Sequence, residues 1–469
     1  MAFNSFVFLM AFLPLVLIIY WLLRKRGHMD ESIWFLVLSS LIFYGYGAGF
    51  GIMVLIFSMF INYILAQNIL VNKRAKALLA AGCCFNVLLL CLFKYKNILF
   101  GTALDFIKTP GISFYTFTGI ALLCECYRGT LGRLSVREYT FLYTFFPKML
   151  QGPIVLPEDM LSQKEGESIS VEQVYRAIVL FVLGMFKKVI IADTLGAAVD
   201  FGYTNMPAMH TGESLVIILS YTLQLYFDFS GYCDMATALA SLLGFELPLN
   251  FNSPYKAKDI GEFWDRWHIT LTKFFTKYIY IPLGGNRKGS ARTYLNILIV
   301  FLISGLWHGV GLGFIVWGLL HGVLSVVNRA LKSRNVKSGF LSGVFTFLYV
   351  NAAWVFFRAP SIESALAVFK GVGECWFPRF NTGLAKCFNI DELWYVLKVL
   401  HVDRLEMGIY VLMIFILVAL LLLVFFAPTA IDYSKKCKIN VVTSLFVTLL
   451  FVWCVLSFEG VATYLYVNF

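Results

Sequence analysis

The sequence predicts an all-α, polytopic membrane protein of roughly eleven transmembrane helices, with re-entrant or interfacial pieces between them. Three observations lead there. Of 469 residues, 59% are hydrophobic and only 14% charged, too little charge to cover a soluble domain of this size. The net charge of +11 sits in short clusters between apolar runs, the pattern of Lys/Arg held on the cytoplasmic side rather than of a nucleic-acid patch. The 17% aromatic content suits interfacial belts and a bundle core.

A helix needs about 20 residues to cross the hydrocarbon. The run 4–23 lacks a basic n-region and a cleavage site and precedes Arg24-Lys25-Arg26, so it is expected to be a retained first span. Residues 32–72 hold no charge over 41 positions, enough for two spans turning near "GYGAGFG". Further spans are expected at 77–93, 111–124, two within 293–328, then 338–357, 407–427 and 440–458. The segments 172–192 and 214–245 are helical in pattern, but charges interrupt them. The clusters 24–26, 73–76, 329–337 and 435–438 all fall on the cytoplasmic side if span pairs separate them, which leaves both termini outside. No internal repeat or soluble domain is visible, so 1–469 is expected to be one membrane domain, with 459–469 as an extracytoplasmic aromatic tail. Most cysteines lie in apolar runs without metal-site spacing and are expected to be small buried hydrophobes; Cys375 and Cys387 share a polar loop in which a bridge is conceivable.

The stretch 255–292 carries eight Lys/Arg against three acids and is placed in the cytoplasm. Within it, 261–281 has the spacing of an amphipathic helix: Phe263, Trp267, Leu271, Phe274, Tyr278 and Ile281 form one apolar face. Glu262 precedes Arg266 by four residues, the favourable order for an ion pair, and Lys273 and Lys277 take the polar side. His268 borders the apolar face. The glycine-rich "YIPLGGNRKG" at 280–289 is no P-loop, but its amides with Arg287 and Lys288 suit an anionic donor arriving from the cytosol.

His308 and His321 lie within 36 residues free of Lys, Arg, Asp and Glu, between Arg292 and Arg329. An ionisable group at membrane depth ordinarily has a task; a packing histidine bonded to a neighbouring helix is the competing explanation. Glycines 309, 311 and 313 predict a break between the two. If the span begins at 293, His308 lies about 22 Å along it. Neither i,i+3 nor i,i+4 spacing nor a nearby carboxylate supports a metal site. A neutral imidazole in a desolvated pocket suits general-base or proton-relay work instead. Asp193, Asp228 and Asp234 also sit in apolar surroundings, where a structural role weighs as much as a chemical one. The final "TYLYVNF" fits an interfacial anchor.

Several stretches together carry a resemblance through nearly the whole chain: "PGISFYTFTGIALLCECYRG" (110–129), "FFPKMLQGPI" (145–154), "FKKVIIAD" (186–193), "YTLQLYFDFSGYCDMA" (221–236), "EFWDRWHITL" (262–271), "YIPLGGNR" (280–287) and "LWHG" (306–309). The chain resembles the membrane-bound O-acyltransferase (MBOAT) family, in its bacterial branch that acetylates alginate and peptidoglycan. The resemblance implies a catalytic histidine at His308, a second functional histidine at His268, and supporting positions at His321 and Asp193. It also implies acetyl-CoA as a cytoplasmic acyl donor with no bound cofactor, transfer through a membrane core of a bacterial plasma membrane, and an extracytoplasmic SGNH-type partner that modifies a polysaccharide. Tyr466 holds the place of a tail tyrosine proposed as an acyl relay. The chain departs from the pattern at Glu125, where aspartate is usual, at Leu156, where many relatives have arginine, and at Val467, where an aromatic is commoner. Two other functions compete: D-alanyl transfer from a carrier protein to teichoic acid, and a proton-coupled transporter or flippase, which would more often show an inverted repeat.

Overall fold

A computed structural model describes residues 1–163, 169–206, 209–377, 380–390, 398–399 and 407–458. The expected spans appear in order. Helices α1 (Val7–Lys25), α2 (Met29–Ala48), α3 (Gly51–Val71) and α4 (Ala75–Lys94) make the first group. Next come α5 (Ile112–Arg128), the short α6 (Val136–Thr144) and α7 (Phe146–Met149). Helix α8 (Val171–Phe186) runs through a π-helical turn, Lys187–Ala192, into α9 (Asp193–Thr204), and α10 (Thr211–Leu242) lies beside them. After the pieces α11 (Ile260–Arg266) and α12 (Ile269–Phe275), the chain forms α13 (Gly289–His308), α14 (Leu312–Ser333), α15 (Phe340–Arg358), α16 (Ile362–Gly373), α17 (Gly408–Phe426) and α18 (Val441–Leu456).

Among the described residues, eight helices have the length and apolar composition of a span, against the roughly eleven expected. The difference has a physical reason. Helices α5 and α18 are 17 and 16 residues long, and the α8–α9 rod and α10 carry buried charges. Helix α10 is buried on every side from Ser220 to Ala236, the mark of a central helix rather than a lipid-facing one. It divides the interior into two apolar clusters, one built largely on α1–α7 and the other on α9, α11 and α14–α17.

Helices α8 and α10 cross where both carry glycine. A Cβ on Gly184 would lie 2.7 Å from the Gly231 carbonyl, and the converse distance is the same. Close backbone approach through small residues is how helices pack when lipid competes for apolar side chains. Just beyond the crossing, Lys187 pairs with Asp234 at 2.6 Å, and Lys188 pairs with Asp228 and Asp193, each at 2.7 Å.

Residues 136–157 are re-entrant. Tyr139 donates to the Met59 carbonyl midway along α3, Phe146 N–H donates to Ser40 Oγ of α2, and the Met149 carbonyl packs against Gly111 at the far end of α5. The chain then returns: Ile154 N–H donates to Thr270 Oγ1, and Asp159 pairs with Lys273 at the face that carries the basic clusters. Irregular backbone at this depth persists because protein, not lipid, surrounds it.

The expected helix over 261–281 is corrected: it is broken at Trp267–His268 into α11 and α12. Trp267 is extended and His268 is left-handed, at φ 46°. The irregular segment 250–252 takes over the backbone pairing at the break, with Asn252 N–H donating to the Arg266 carbonyl and Ile269 N–H to the Asn250 carbonyl. Of the predicted apolar face, Phe263, Trp267, Leu271 and Phe274 are buried, whereas Tyr278 is half-buried and Ile281 exposed. The Glu262–Arg266 pair forms at 2.8 Å. Cys375 and Cys387 are both free thiols.

Candidate active site

The break predicted at glycines 309–313 falls between α13 and α14, and His308 is the last residue of α13. Because α13 begins at Gly289 rather than 293, His308 lies about 28 Å from the basic end of the helix, near the opposite face. The two helices pack tightly there: a Cβ on Gly305 would meet the Phe314 carbonyl at 2.4 Å, and one on Gly318 the Phe301 carbonyl at 2.5 Å. Lys94, at the end of α4, donates to the Trp307 carbonyl, and Tyr95 Oη donates to the Leu306 carbonyl at 2.8 Å. These donors satisfy carbonyls that the end of α13 leaves open, and the cation complements the helix dipole.

The three histidines form a ladder with tryptophan rungs. His268 stands 6.4 Å from the Trp307 ring, and Trp307 is 4.5 Å from His308. His308 packs edge-on against Trp317 at 5.0 Å, and Trp317 lies 5.0 Å from His321. All three imidazoles are buried, at 1%, 3% and 0% exposure. On one continuous helix the thirteen-residue spacing would put His308 and His321 on different faces; the break at the glycines lets the hairpin bring them into one row.

His268 owes its place to Asn250. Its Nδ1 lies 3.1 Å from Asn250 Oδ1, which also accepts from Thr270 Oγ1 at 2.8 Å, while Asn250 Nδ2 donates to Cys233 Sγ. With the amide so oriented, the ring proton belongs on Nδ1 and Nε2 is the basic nitrogen. The left-handed backbone of a non-glycine residue costs roughly 1–2 kcal/mol, and the 250–252 pairing holds it. Neither ring nitrogen of His321 has a hydrogen-bond partner among the described residues. It is walled by Trp264 at 5.1 Å, Trp317 and Trp354.

A cavity of about 600 Å³ opens between α11, α12, α13 and α14. Ser304, Phe301 and Trp264 line its inner end, and Asn286, Arg329 and Lys332 its mouth at the basic face. Ser304 lies one helical turn before His308, and Leu271, also in the lining, follows His268 by three residues. The mouth is organised by Asp259. Its carboxylate accepts from Gly261 N–H and Glu262 N–H, from Asn328 Nδ2 and Lys332 Nζ, and from Ser338 Oγ at 2.7 Å. These donors hold the Asp259 carboxyl well below the usual carboxylate range, against the opposing effect of burial.

The other predicted site residues fall elsewhere. Arg287 and Lys288 are exposed on the turn after α12 and do not line the cavity; their neighbour Asn286 does, hydrogen-bonded to Tyr280. Asp193 takes part in the separate ion cluster with Lys188 and Asp228. Tyr466 lies outside the described residues. Glu125 is a buried hub that accepts from Arg128, Thr130 and Tyr278 and pairs with Lys277 at 3.1 Å, tying α5 to the turn after α12. Leu156 is fully buried in an apolar cluster with Leu271 and Trp307, so packing is its role. Sequence reasoning missed Asn250, Lys94, Asp259 and Arg329, because only tertiary contact reveals what each one touches. It also passed over Lys148 and Gln151 of the quoted "FFPKMLQGPI", both buried in the re-entrant segment; two polar residues inside an apolar run were the available signal.

Three buried imidazoles thus stand near the inner end of a cavity whose mouth lies at the basic face, an arrangement suited to group transfer inside a membrane. Residues 128–361 match the membrane-bound O-acyltransferase family, MBOAT. The chain is 37% identical over 418 residues to a peptidoglycan O-acetyltransferase of Helicobacter pylori, covering 79% of each. It is 34% identical to the probable alginate O-acetylase AlgI of Pseudomonas aeruginosa, covering 79% of this chain and 75% of that protein. To a teichoic acid D-alanyltransferase of Streptococcus thermophilus it is 27% identical, over 62% of this chain and 75% of that one. The chain belongs to the MBOAT family and is a multi-pass membrane O-acyltransferase related to O-acetyltransferases. That sets the transporter reading aside.

Proposed function

We propose that the protein takes an acetyl group from acetyl-CoA on the cytoplasmic side of a bacterial plasma membrane and passes it outward for O-acetylation of a cell-surface or secreted polysaccharide. The observation that carries this is the cavity that runs from the basic face to within a helical turn of His308. Lys/Arg-rich loops mark the cytoplasmic side, so a donor entering there delivers its thioester close to the far face. His308 takes the proton of an incoming hydroxyl as general base. The oxygen bonds to the acetyl carbon, the C–S bond breaks, and the thiolate leaves and is protonated. His268, held by Asn250, orients the donor or assists that protonation. Tyr466 is an acceptor candidate: a phenol of pKa about 10 needs such a base to become a useful nucleophile. An SGNH-type partner outside the membrane then moves the acetyl group to the polysaccharide. The higher identity to O-acetylating relatives, 37% and 34%, than to the D-alanyl one, 27%, favours acetyl over D-alanyl.

The test uses purified protein in nanodiscs with acetyl-labelled acetyl-CoA. Release of free CoA by the wild type, lost in His308→Ala, is the expected result. Donor consumption equal in both proteins would remove His308 from the chemistry, and binding of a loaded carrier protein but not acetyl-CoA would move the donor to the D-alanyl class. Undiminished transfer to the external acceptor by Tyr466→Phe would eliminate the covalent relay.

A further inference from the structure

Four cations line the cavity and the adjoining hollow of about 360 Å³ on the other side of Thr272 and Thr276. Three are already engaged: Lys332 with Asp259 at 2.9 Å, Lys273 with Asp159 at 3.0 Å, and Lys277 with Glu158 at 2.6 Å. Arg329 is the fourth. It is exposed at the cavity mouth and makes no ion pair among the described residues. Asp265, in both linings, also has no ion pair among the described residues, so the hollows hold one uncommitted cation and one uncommitted acid.

The position of Arg329 along α14 is what gives it meaning. Trp317, the rung against which His308 packs at 5.0 Å, precedes Arg329 by twelve residues on the same helix, about 18 Å of axial rise. The arm of an acyl donor of the phosphopantetheine type runs about thirteen bonds from phosphorus to sulfur, which in extended form spans roughly 15 Å by peptide-chain dimensions. An extended arm from a phosphate at Arg329 therefore reaches most of the way along α14 to the level of Trp317, the rung against which His308 packs. Guanidinium is the suitable group, since its fork matches phosphate oxygens with two hydrogen bonds.

We propose that Arg329 is the phosphate anchor of the donor site, setting the length of arm that reaches His308. This rests on the acyl-donor reading above. The cavity then recognises the pantetheine arm and its phosphate, and the rest of the donor lies outside it.

Binding and turnover are measured with acetyl-CoA and with acetyl-pantetheine, which has the arm but no phosphate, on the full-length protein in nanodiscs. The wild type is expected to bind acetyl-CoA at least tenfold more tightly than acetyl-pantetheine. Arg329→Gln should erase that preference, raising KM for acetyl-CoA about tenfold or more with kcat near wild type, and leave acetyl-pantetheine unchanged. Arg329→Lys should restore part of the difference. A variant that weakens both donors equally would make Arg329 merely structural, and one that changes neither would end the proposal. Binding separates the two readings: CoA binding that depends on Arg329 without turnover keeps the anchor and overturns the acetyl-CoA reaction, and turnover indifferent to Arg329 does the reverse. If the wild type binds neither donor, both fall.

Discussion

Two regions of this molecule bury ionisable groups in its apolar interior, and they do it in opposite ways. Between the α8–α9 rod and α10, each buried charge meets its opposite: Lys187 with Asp234, and Lys188 with Asp228 and with Asp193 at the exposed edge. Across the α13–α14 hairpin, three imidazoles stand among tryptophans, with side-chain carboxylates kept to the rim. Moving a full charge out of water is expensive enough that it must be compensated on the spot, whereas a neutral imidazole is tolerated in an apolar wall and keeps a lone pair available. The ion cluster therefore suits architecture, and the ladder is where the proposed chemistry is placed.

The largest expected effect tests that division directly. His308→Ala should lower turnover by about 100- to 10,000-fold, the range of a lost general base, with thermal stability nearly unchanged; a comparable collapse of stability would make the ladder architectural too. Lys188→Met is the mirror experiment. It strands Asp228 and should destabilise by about 3–5 kcal/mol, seen as lost monodisperse protein on size-exclusion chromatography. The folded fraction should retain activity within about tenfold, since the loss is one of packing. A variant fully folded but inactive would move the ion cluster into the mechanism.

Asn250→Ala sharpens the comparison from the other side. It removes the acceptor that orients His268 and should lower turnover about tenfold to a hundredfold, as losing a buried hydrogen bond of about 1–3 kcal/mol implies. If His268 only packs, stability would fall while activity per folded molecule held. The smallest effect concerns Asp259. Its carboxyl is held below the unfolded value of about 3.9, so its stabilisation is fully present above that pH and is lost as pH falls through the lower folded value. Wild type should then exceed Asp259→Asn in thermal stability by a constant margin, about 1–2 kcal/mol, between pH 5 and 8. The margin should close only in strong acid. A gap that varied between pH 5 and 8 would point to a different titrating group.

Much of this protein was legible before any fold was known. Apolar length located the eight long apolar helices, because the hydrocarbon sets the length a span needs; it did not locate Ile362–Gly373, and buried charges masked the α8–α9 rod and α10. The glycines at 309–313 predicted the hairpin, and the quoted motifs singled out both His308 and His268. Two kinds of feature were not legible. The helix expected over 261–281 failed because periodicity reports which residues face inward, not whether a separate segment will take over the backbone hydrogen bonds at Trp267–His268. Arg287 and Lys288 were the nearest basic residues in sequence to a glycine-rich turn, yet the cavity takes its cations from the end of α14.

The sequence by itself determined the membrane class, the order and approximate ends of the spans, and the identity of the buried histidines, since each follows from local apolarity and residue type. Only the tertiary structure decided that His268, His308 and His321 stand in one row, that Asn250 orients the first of them, and that Arg329 faces the cavity while Lys332 is tied to Asp259. Those are contacts between segments far apart in the chain. The registers that make them come from the packing of whole helices through small residues such as Gly305 and Gly318, and no local pattern encodes that distance.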